Sequence, residues 1–316
     1  MSAEPLSVAH EWAEGQSAVD VFLNADCLRE LPLMTSGSIH AVITDIPYGI
    51  GAEEWDVLHS NTNSAFLGCS PAQTKASATF ARRGKPINGW SSADRNIGLE
   101  YQNWCSSWAA ELLRVLKPGG SLLVFAGRRF VHRCAAALED AGFSIKDQLA
   151  WVKPAAPHRA QRLSVVFDRR RDYESAEEWE GWRLGNLRPR FEPILWATKP
   201  YKIGTTIADN VLHHGVGAMN PEAIRPLASD YANILEIGMA QHEERIHPTQ
   251  KPLGLMRALV ELVTVPGQVV LDPFAGSGTT LAAAAGCGRR YVGYEINGEY
   301  YRAARARLYD APLRLL

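Results

Sequence analysis

The residues best suited to chemistry include a glycine-rich turn near the carboxyl end of the chain. The turn reads Asp272-Pro273-Phe274-Ala275-Gly276-Ser277-Gly278-Thr279 and lies between a predicted strand, 268–271, and a predicted helix, 279–285. Glycines let the backbone approach a ligand, and the start of a helix offers free N–H groups. Such a turn stands at the carboxyl edge of a parallel sheet, the usual ligand crevice. It therefore predicts a cofactor site.

The residue types in this turn favour one class of cofactor. The pattern is Gly276-x-Gly278-x-x-Leu281, which lacks the third glycine of the dinucleotide fingerprint. The carboxylate of Asp272 would repel a pyrophosphate but suits an ammonium and a sulfonium. Glu295 lies nineteen residues beyond Gly276, at the end of the next predicted strand, where it can accept hydrogen bonds from ribose hydroxyls. S-Adenosylmethionine is thus the predicted cofactor, with a dinucleotide or a ligand-free turn as alternatives.

A second motif, Asp45-Ile46-Pro47-Tyr48, closes another predicted strand, 40–44. It brings a carboxylate and an aromatic ring to a carboxyl edge as well. Taken alone, the motif fits a plain strand-ending turn as well as it fits a catalytic site.

With a third motif, these two resemble a known family. The tetrapeptide comes first, His247-Pro248-Thr249-Gln250-Lys251-Pro252 lies between, and the glycine turn comes last. This order is similar to that of the beta group of DNA amino-methyltransferases, which act on adenine N6 or cytosine N4. The resemblance runs from about Asn24 to Leu308, with gaps at a polar segment and at two insertions.

The resemblance implies catalytic roles for Asp45, Ile46, Pro47 and Tyr48. The lone pair of an exocyclic base amine is delocalised into the ring, so accepting hydrogen bonds from both N–H groups makes the nitrogen more nucleophilic. Asp45 would supply one acceptor and the carbonyl of Ile46 the other. Tyr48 would stack on a base swung out of the duplex. The family usually has proline where this chain has Ile46, but Pro47 still biases that residue toward an extended conformation, so function is expected to survive.

The resemblance also implies cofactor contacts. Asp26 and Cys27 would contact the adenine of the cofactor, and Phe274 would pack beside it. Thr249 and Lys251 would meet its carboxylate end. A helix cap for Asp26 and a solvated charge for Lys251 remain as simpler alternatives. The complete predicted cofactor set is Asp26, Cys27, Thr249, Lys251, Asp272, Pro273, Phe274, Gly276, Ser277, Gly278, Thr279 and Glu295.

The target base is indicated by the first residue of the tetrapeptide. Aspartate there resembles the adenine enzymes, whereas cytosine-N4 enzymes more often carry serine. None of the five cysteines follows a proline, which disfavours attack on cytosine C5. The main hypothesis is site-specific methyl transfer to adenine N6 in double-stranded DNA, by base flipping and direct in-line transfer without a metal. A cytosine-N4 enzyme and a catalytically silent module that binds cofactor and DNA remain alternatives.

The chain is neutral overall, but its charge is unevenly distributed. Residues 1–60 hold ten acidic residues and one basic residue, whereas residues 128–171 hold ten basic and four acidic residues. A localised basic region favours contact with an anionic surface. The predicted DNA-binding set is Arg159, Arg162, Arg169, Arg170, Arg171, Arg188 and Arg190. Nearby acidic residues leave a merely solvated loop as the alternative.

The composition excludes several classes of protein. With 316 residues, 46% of them hydrophobic, the chain can bury a large core, which excludes disorder and small disulfide scaffolds. The five cysteines form no C-x-x-C pair, as expected in a reduced cytoplasm. Neither a signal peptide nor a run of about 18 apolar residues is present. We expect a cytoplasmic protein with no membrane partner. A homodimer is a possible assembly that the sequence does not decide.

Alternating strands and helices must position these motifs. From Ala18 onward short apolar runs alternate with helical patterns, which is typical of a mostly parallel sheet covered by helices. With the resemblance, this predicts one α/β domain over 18–316, a Rossmann-like class I methyltransferase sheet of about seven strands, one antiparallel, in circularly permuted motif order. Residues 58–98 are expected to form a mobile lid-like loop. Insertions at 154–190 and 199–245 are expected to form the DNA-recognition region.

Overall fold

The fold is known for most of the chain. A computed structural model describes residues 20–49, 92–156, 160–240, 243, 246 and 249–310. Three predicted features lie outside these residues: Arg159, the pair His247 and Pro248, and the segment 58–91 of the expected lid. None of the described helices combines the length and the apolar character that a membrane span requires.

An eight-stranded sheet forms the centre of the described fold. Its strands are β1 (Val21–Asn24), β2 (Ile39–Asp45), β3 (Leu116–Phe125), β4 (Ser144–Val152), β7 (Phe191–Thr198), β8 (Ile234–Glu236), β9 (Val269–Asp272) and β10 (Arg290–Glu295). Across the sheet the order is β1-β10-β9-β2-β3-β7-β4-β8. β7 runs antiparallel to both of its neighbours, and the other described pairs are parallel. A separate ribbon pairs β5 (Gln161–Arg162) with β6 (Arg183–Leu184).

Helices cover both faces of this sheet. They are α1 (Cys27–Glu30), α2 (Ser92–Val115), α3 (Val131–Asp140), α4 (Leu163–Arg169), α5 (Tyr173–Glu178), α6 (Ile207–His214), α7 (Leu253–Val263), α8 (Thr279–Gly286) and α9 (Gly298–Asp310). Successive residues of a strand point to opposite faces, so Val42 packs in one core with α2 and α3. Its neighbour Ile43 packs in a second core with α7 and α8.

The predicted α/β class, the single antiparallel strand and the permuted motif order are confirmed. The sheet has one strand more than the seven expected, because β8 within the insertion 199–245 pairs in parallel with β4, where Ala150 faces Ile234. At three residues, β8 is too short to show a sequence pattern. The insertions also contain helices that the sequence did not predict, α4 and α5 in the first and α6 in the second.

Residues 92–98 are helical, which corrects the end of the predicted loop 58–98. They form the first turns of α2, and Ile97 is buried on the helix face that continues through Tyr101, Cys105 and Trp108. This spacing keeps one apolar stripe against the sheet. The polar residues before Ile97 concealed the helix start in the sequence.

The second insertion is attached to the sheet through Asn210 on α6. Its buried side-chain amide donates to the carbonyl of Pro118 at 3.0 Å and to the carbonyl of Val216 at 2.9 Å. Two backbone acceptors from separate segments thus depend on one side chain.

We expect Asn210→Ala to lower the free energy of unfolding by about 1–3 kcal/mol, because one buried and one partly buried carbonyl lose their donor. Urea denaturation followed by circular dichroism measures this loss. Leu212→Ala on the same helix is the control, since that side chain is 86% exposed and its removal should change stability by less than about 0.5 kcal/mol. Equal effects of the two variants would contradict the anchoring role.

Candidate active site

The two motifs at the strand ends meet in one cavity. β2 and β9 are parallel neighbours, with Val42 opposite Leu271, so their carboxyl ends lie side by side. The hydroxyl of Thr44 donates to Oδ1 of Asp272 at 2.7 Å and joins the two ends directly. The cavity above them has a volume of about 300 Å³, within the range of small-molecule sites.

Most of the predicted site residues line this cavity. They are Asp26, Cys27, Asp45, Ile46, Pro47, Tyr48, Thr249, Lys251, Asp272, Pro273, Phe274, Gly276, Ser277, Thr279 and Glu295. Gly278 is not among the lining residues. It begins α8 with φ +69°, and a Cβ there would lie 3.2 Å from Cβ of Ala304. Its contribution is therefore to the backbone path of the turn and to its packing on α9.

The glycine turn is closed by Glu295 from the end of β10. The N–H of Gly276, whose φ is +50°, donates to Oε2 of Glu295 at 2.8 Å, and the N–H of Asn297 donates to Oε1 at 2.7 Å. These bonds fix the carboxylate at the cavity wall. Burial raises the pKa of Glu295, although the backbone donors oppose that shift.

Asp272 lies at the floor of the cavity. Oδ1 accepts from the Thr44 hydroxyl and from the N–H of Phe274 at 3.1 Å. Burial raises the pKa of Asp272 to about 6, against the lowering effect of these hydrogen bonds and of Thr280. The carboxylate is ionised at neutral pH and can attract a cationic group in the cavity.

An aromatic wall bounds the cofactor side of the cavity. The ring centroid of Phe274 lies 5.6 Å from that of Trp104 and 6.0 Å from that of Trp108. A flat apolar wall of this kind suits a heterocycle. The spacing of Trp104 and Trp108 predicts a helix face, but nothing in the sequence connects that face to a site more than 150 residues away.

Asp26 and Cys27 stand at the start of α1, on the same side. Oδ1 of Asp26 accepts from the N–H of Leu28 at 3.0 Å, so the simpler alternative of a helix cap is present, and Asp26 lines the cavity as well. Cys27 is buried, and burial raises the pKa of its thiol well above the usual value. Neither observation conflicts with a contact to a cofactor.

The tetrapeptide is held by its backbone. The N–H of Ile46 donates to the carbonyl of Phe125 at 3.4 Å, and its side chain is buried in the core. The hydroxyl of the buried Tyr101 donates to the carbonyl of Pro47 at 2.8 Å. A Cβ at Gly127 would come within 3.0 Å of Cβ of Tyr48, so only glycine fits there comfortably. Sequence reasoning missed Tyr101 and Gly127.

Four charged side chains and Tyr48 form a cluster at the catalytic end. The ammonium of Lys251 pairs with Oδ2 of Asp45 and lies 3.5 Å from Oε2 of Glu192. Oε1 of Glu192 pairs with the ammonium of Lys153, and its Oε2 accepts from the hydroxyl of Tyr48 at 2.9 Å. With a side chain only 4% exposed, Lys251 is not the solvated charge of the simpler alternative.

Glu192 and Lys153 were missed by the sequence analysis. Glu192 is the second residue of β7, an otherwise apolar strand, and a carboxylate in such a strand is a usable signal. Lys153 follows the end of β4, where Trp151-Val152-Lys153-Pro154 reads only as a strand end. Because β7 is antiparallel, its start reaches the same edge as the end of β4.

The charges in the cluster shift one another. Burial raises the pKa of Asp45 and Glu192 raises it further, while Lys251 lowers it. Burial also acts on Glu192, but the ammonium groups of Lys251 and Lys153 outweigh it and lower its pKa to about 2. The two carboxylates keep Lys251 protonated despite its burial and raise its pKa. Glu192 is therefore a fixed negative charge throughout the working range of the protein.

Asp45 keeps one oxygen unused. Oδ2 is held by Lys251, whereas the buried Oδ1 has no hydrogen-bond partner among the described residues. A buried acceptor without a donor is costly in a folded protein and marks a place where a ligand can donate.

The predicted DNA-contacting arginines lie on the first insertion, apart from the cavity floor. The described ones, all exposed, are Arg162, Arg169, Arg170, Arg171, Arg188 and Arg190. Arg190 is engaged, since it lies 3.3 Å from Oε1 of Glu236 and its Nε donates to the carbonyl of Lys153. No cluster of His, Cys, Asp and Glu side chains within the described residues could hold a metal ion.

Comparison with known proteins identifies the family of this chain. Residues 39–306 match the family N6_N4_Mtase, described as DNA methylase. The chain is 52% identical to a protein named Type II methyltransferase M.HindIII from Haemophilus influenzae, over 92% of this chain and 95% of that protein.

Solved structures share the fold. The crystal structure of an M1.HpyAVI–SAM complex is 22% identical, with a TM-score of 0.52, over 91% of this chain and 98% of that one. A PvuII DNA methyltransferase described as cytosine-N4-specific is 17% identical, with a TM-score of 0.59, over 95% and 93% of the two chains.

The sheet and the cavity at its carboxyl edge define a class I methyltransferase. The family match and the 52% identity are more specific, and the chain belongs to the DNA amino-methyltransferases that use S-adenosylmethionine. Its residues fit that cofactor: the aromatic wall at Phe274 suits the adenine, the fixed carboxylate of Glu295 suits ribose hydroxyls, and Asp272 suits the cationic groups.

Binding of S-adenosylmethionine is expected to weaken below about pH 6, because Asp272 with its pKa of about 6 becomes neutral there. The dissociation constant should rise by at most about tenfold per pH unit below that value. Isothermal titration calorimetry from about pH 8 to about pH 5 measures it. Asp272→Asn should bind weakly at every pH, and Asp209→Asn, on the exposed start of α6, should retain the wild-type profile. A wild-type affinity that does not change with pH would contradict the role of Asp272.

Proposed function

We propose that this protein transfers a methyl group from S-adenosylmethionine to adenine N6 at a specific sequence in double-stranded DNA. The observation that carries the proposal is the free acceptor oxygen of Asp45 in the same cavity as the cofactor turn. An exocyclic amine needs an acceptor for its N–H group at the point where its lone pair meets an electrophile. Oδ1 of Asp45 meets that need.

Three residues would act on the target base. Oδ1 of Asp45 accepts one N–H of the amine and the carbonyl of Ile46 accepts the other, which localises the lone pair on nitrogen. The ring of Tyr48 stacks on the extruded base and offsets part of the unpairing cost of a few kcal/mol. The cofactor supplies the electrophilic methyl group, and after transfer the surplus proton of the nitrogen can pass to Asp45 or to water.

Adenine is favoured as the target because aspartate opens the tetrapeptide at Asp45. The likeness to a cytosine-N4-specific enzyme is one of fold at 17% identity and carries no information on the base. The alternative, a catalytically silent module that binds cofactor and DNA, is less favoured. Ile46 and Pro47 are fixed by backbone hydrogen bonds, as expected of an ordered tetrapeptide.

The protein would serve as the modification enzyme of a restriction–modification system. A relative at 52% identity is named a Type II methyltransferase and is matched over nearly its full length. Cytoplasmic DNA would be the substrate, and the described cysteines are free, as expected in a reducing compartment.

Purified protein incubated with unmethylated DNA and methyl-labelled S-adenosylmethionine should produce N6-methyladenine, identified by mass spectrometry of the nucleosides. Asp45→Asn should lower kcat by about 10²–10³-fold, because the amide is a weaker acceptor than the carboxylate. Asp147→Asn, at a half-buried position on β4 that does not line the cavity, is the control. Labelled N4-methylcytosine would refute the base, and unlabelled DNA would refute the activity.

Replacement of Arg169, Arg170 and Arg171 by glutamine should weaken DNA binding and reduce the salt dependence of the binding constant. The slope against salt should fall by about 0.9 for each phosphate that no longer meets an arginine. Fluorescence anisotropy with duplex DNA at several salt concentrations measures it. Arg290→Gln is the control, because Arg290 is the first residue of β10 and so lies at the amino ends of the parallel strands, away from the carboxyl edge that holds the cavity. An unchanged slope in the triple variant would reject this patch.

A further inference from the structure

Glu192 is a buried carboxylate to which the proposed chemistry assigns no role. Glu192 contacts Tyr48 directly and is connected to Asp45 through Lys251, and methyl transfer would depend on Asp45 and Tyr48. The Glu192 side chain is 15% exposed, and both of its oxygens are used, one by Lys153 and the other by Tyr48 and Lys251. A carboxylate in this position can affect the reaction through its neighbours without touching the substrate.

The first neighbour is the ring of Tyr48. Its hydroxyl donates to Oε2 of Glu192, and at its Cβ end the ring is confined by the backbone at Gly127, where no side chain would fit. The ring is thus held at both ends. The hydroxyl also accepts from the ammonium of Lys251 at 3.3 Å, so loss of the bond to Glu192 would leave the outer end of the ring with one partner in place of two.

The second neighbour is Lys251, the counterion of Asp45. Its ammonium lies among the rings of Phe125, Trp151 and Tyr48, with centroids 5.2, 5.8 and 5.4 Å away, so it has little access to water. Its charge is divided between Asp45 and Glu192. If Glu192 lost its charge, Asp45 would be the one carboxylate left to Lys251 among its described partners, the other two being the neutral Tyr48 hydroxyl and the Thr249 carbonyl, and Asp45 would become a poorer acceptor.

We propose that Glu192 is a positioning residue for methyl transfer, which orients the ring of Tyr48 and shares Lys251 with Asp45 so that Asp45 remains a strong acceptor. The inference rests on the proposed role of Asp45 toward the target amine. It adds a residue from β7, a strand that contributes neither of the recognised motifs.

Several charged groups face Asp45 and set its ionisation. Lys251 comes from the segment before α7 and Glu192 from β7. Tyr48 comes from the loop after β2 and Asp272 from β9. Lys153 pairs with the other oxygen of Glu192, Oε1. Negative neighbours raise the pKa of Asp45, and Lys251 lowers it. Removing the charge of Glu192 must therefore lower the pKa of Asp45, and removing that of Lys251 must raise it.

The test compares variants that separate charge from hydrogen bonding. Glu192→Gln removes the charge but keeps an oxygen that can accept from Tyr48. Tyr48→Phe removes that hydrogen bond and keeps both the ring and the charge. Glu192→Ala removes charge and acceptor together. Methyl incorporation into DNA is measured with full-length protein across pH, and the label is counted whichever base receives it.

In Glu192→Gln, the acid limb of kcat/KM for DNA, measured with S-adenosylmethionine saturating at every pH, should move to lower pH, since under that condition the limb reports the ionisation of Asp45 before DNA binds and not that of Asp272. kcat should fall by about three- to tenfold while KM for DNA stays within about twofold. Tyr48→Phe should raise KM for DNA and should not move the acid limb to lower pH, because the Tyr48 hydroxyl lowers the pKa of Asp45 and its loss acts in the opposite direction. Glu192→Ala should show both effects.

Glu222→Gln is a matched control. Glu222 accepts from the hydroxyl of Tyr231 and pairs with Arg225 at 2.9 Å, so it has the same kinds of partners, but its side chain is 55% exposed and does not line the cavity. Its pH profile should equal that of the wild type. Melting temperatures of all variants are recorded alongside.

An acid limb that stays in place in Glu192→Gln would overturn the inference, and so would a shift equally large in Glu222→Gln. Loss of activity in parallel with a lowered melting temperature, without movement of the limb, would make Glu192 merely structural. A wild-type protein that methylates cytosine would refute only the proposed base. A wild-type protein that methylates no DNA would overturn both proposals.

Discussion

The parallel pairing of β2 with β9 is the constraint on which the site depends. The two strands are far apart in sequence, yet their adjacency brings Asp45 and Asp272 to one edge of the sheet, where the Thr44 hydroxyl joins them. The order of the motifs along the chain has no bearing on this arrangement, since a sheet fixes neighbours by pairing. A permuted chain can therefore build the same cavity as an unpermuted one, provided that these two strands are neighbours.

The antiparallel strand β7 has a consequence beyond the topology. In a purely parallel sheet only strand ends reach the carboxyl edge, and the loops that follow them supply the side chains. β7 instead begins at that edge, so Glu192 stands on a rigid strand and not on a loop. Since β4 ends beside it, Lys153 lies at the same place, and the proposed catalytic end therefore contains two ammonium and two carboxylate groups.

The sequence predicts what contiguous motifs encode. The turn at 272–279 and the tetrapeptide at 45–48 each carry their chemistry within a few residues, and both were recognised with the strands that precede them. Tyr101 and Trp104 act only through partners distant in sequence, and no local pattern marks such partners. Glu192 leaves one local signal, a carboxylate in an otherwise apolar strand, but that signal does not indicate which groups it meets. β8 was not predicted for the same reason, since its three residues form a strand by pairing with β4, which is distant in sequence. Similarly, Ile97 extends α2 because it has a core to face, not because its polar neighbours favour a helix.

The unpaired oxygen of Asp45 connects stability with function. A buried acceptor without a donor costs about 1–3 kcal/mol, and a folded chain usually satisfies it. Here the other oxygen already holds Lys251, whose position the surrounding rings fix, and the nearby Tyr48 hydroxyl donates to Glu192, so neither group donates to Oδ1. In the proposed reaction this cost is removed when a substrate N–H reaches Oδ1, which makes the unbound site less stable than the bound one. Oδ1 then has no protein hydrogen bond to break before it accepts, and the contact of Oδ2 with Lys251 fixes the carboxylate beforehand, as electrostatic preorganisation requires.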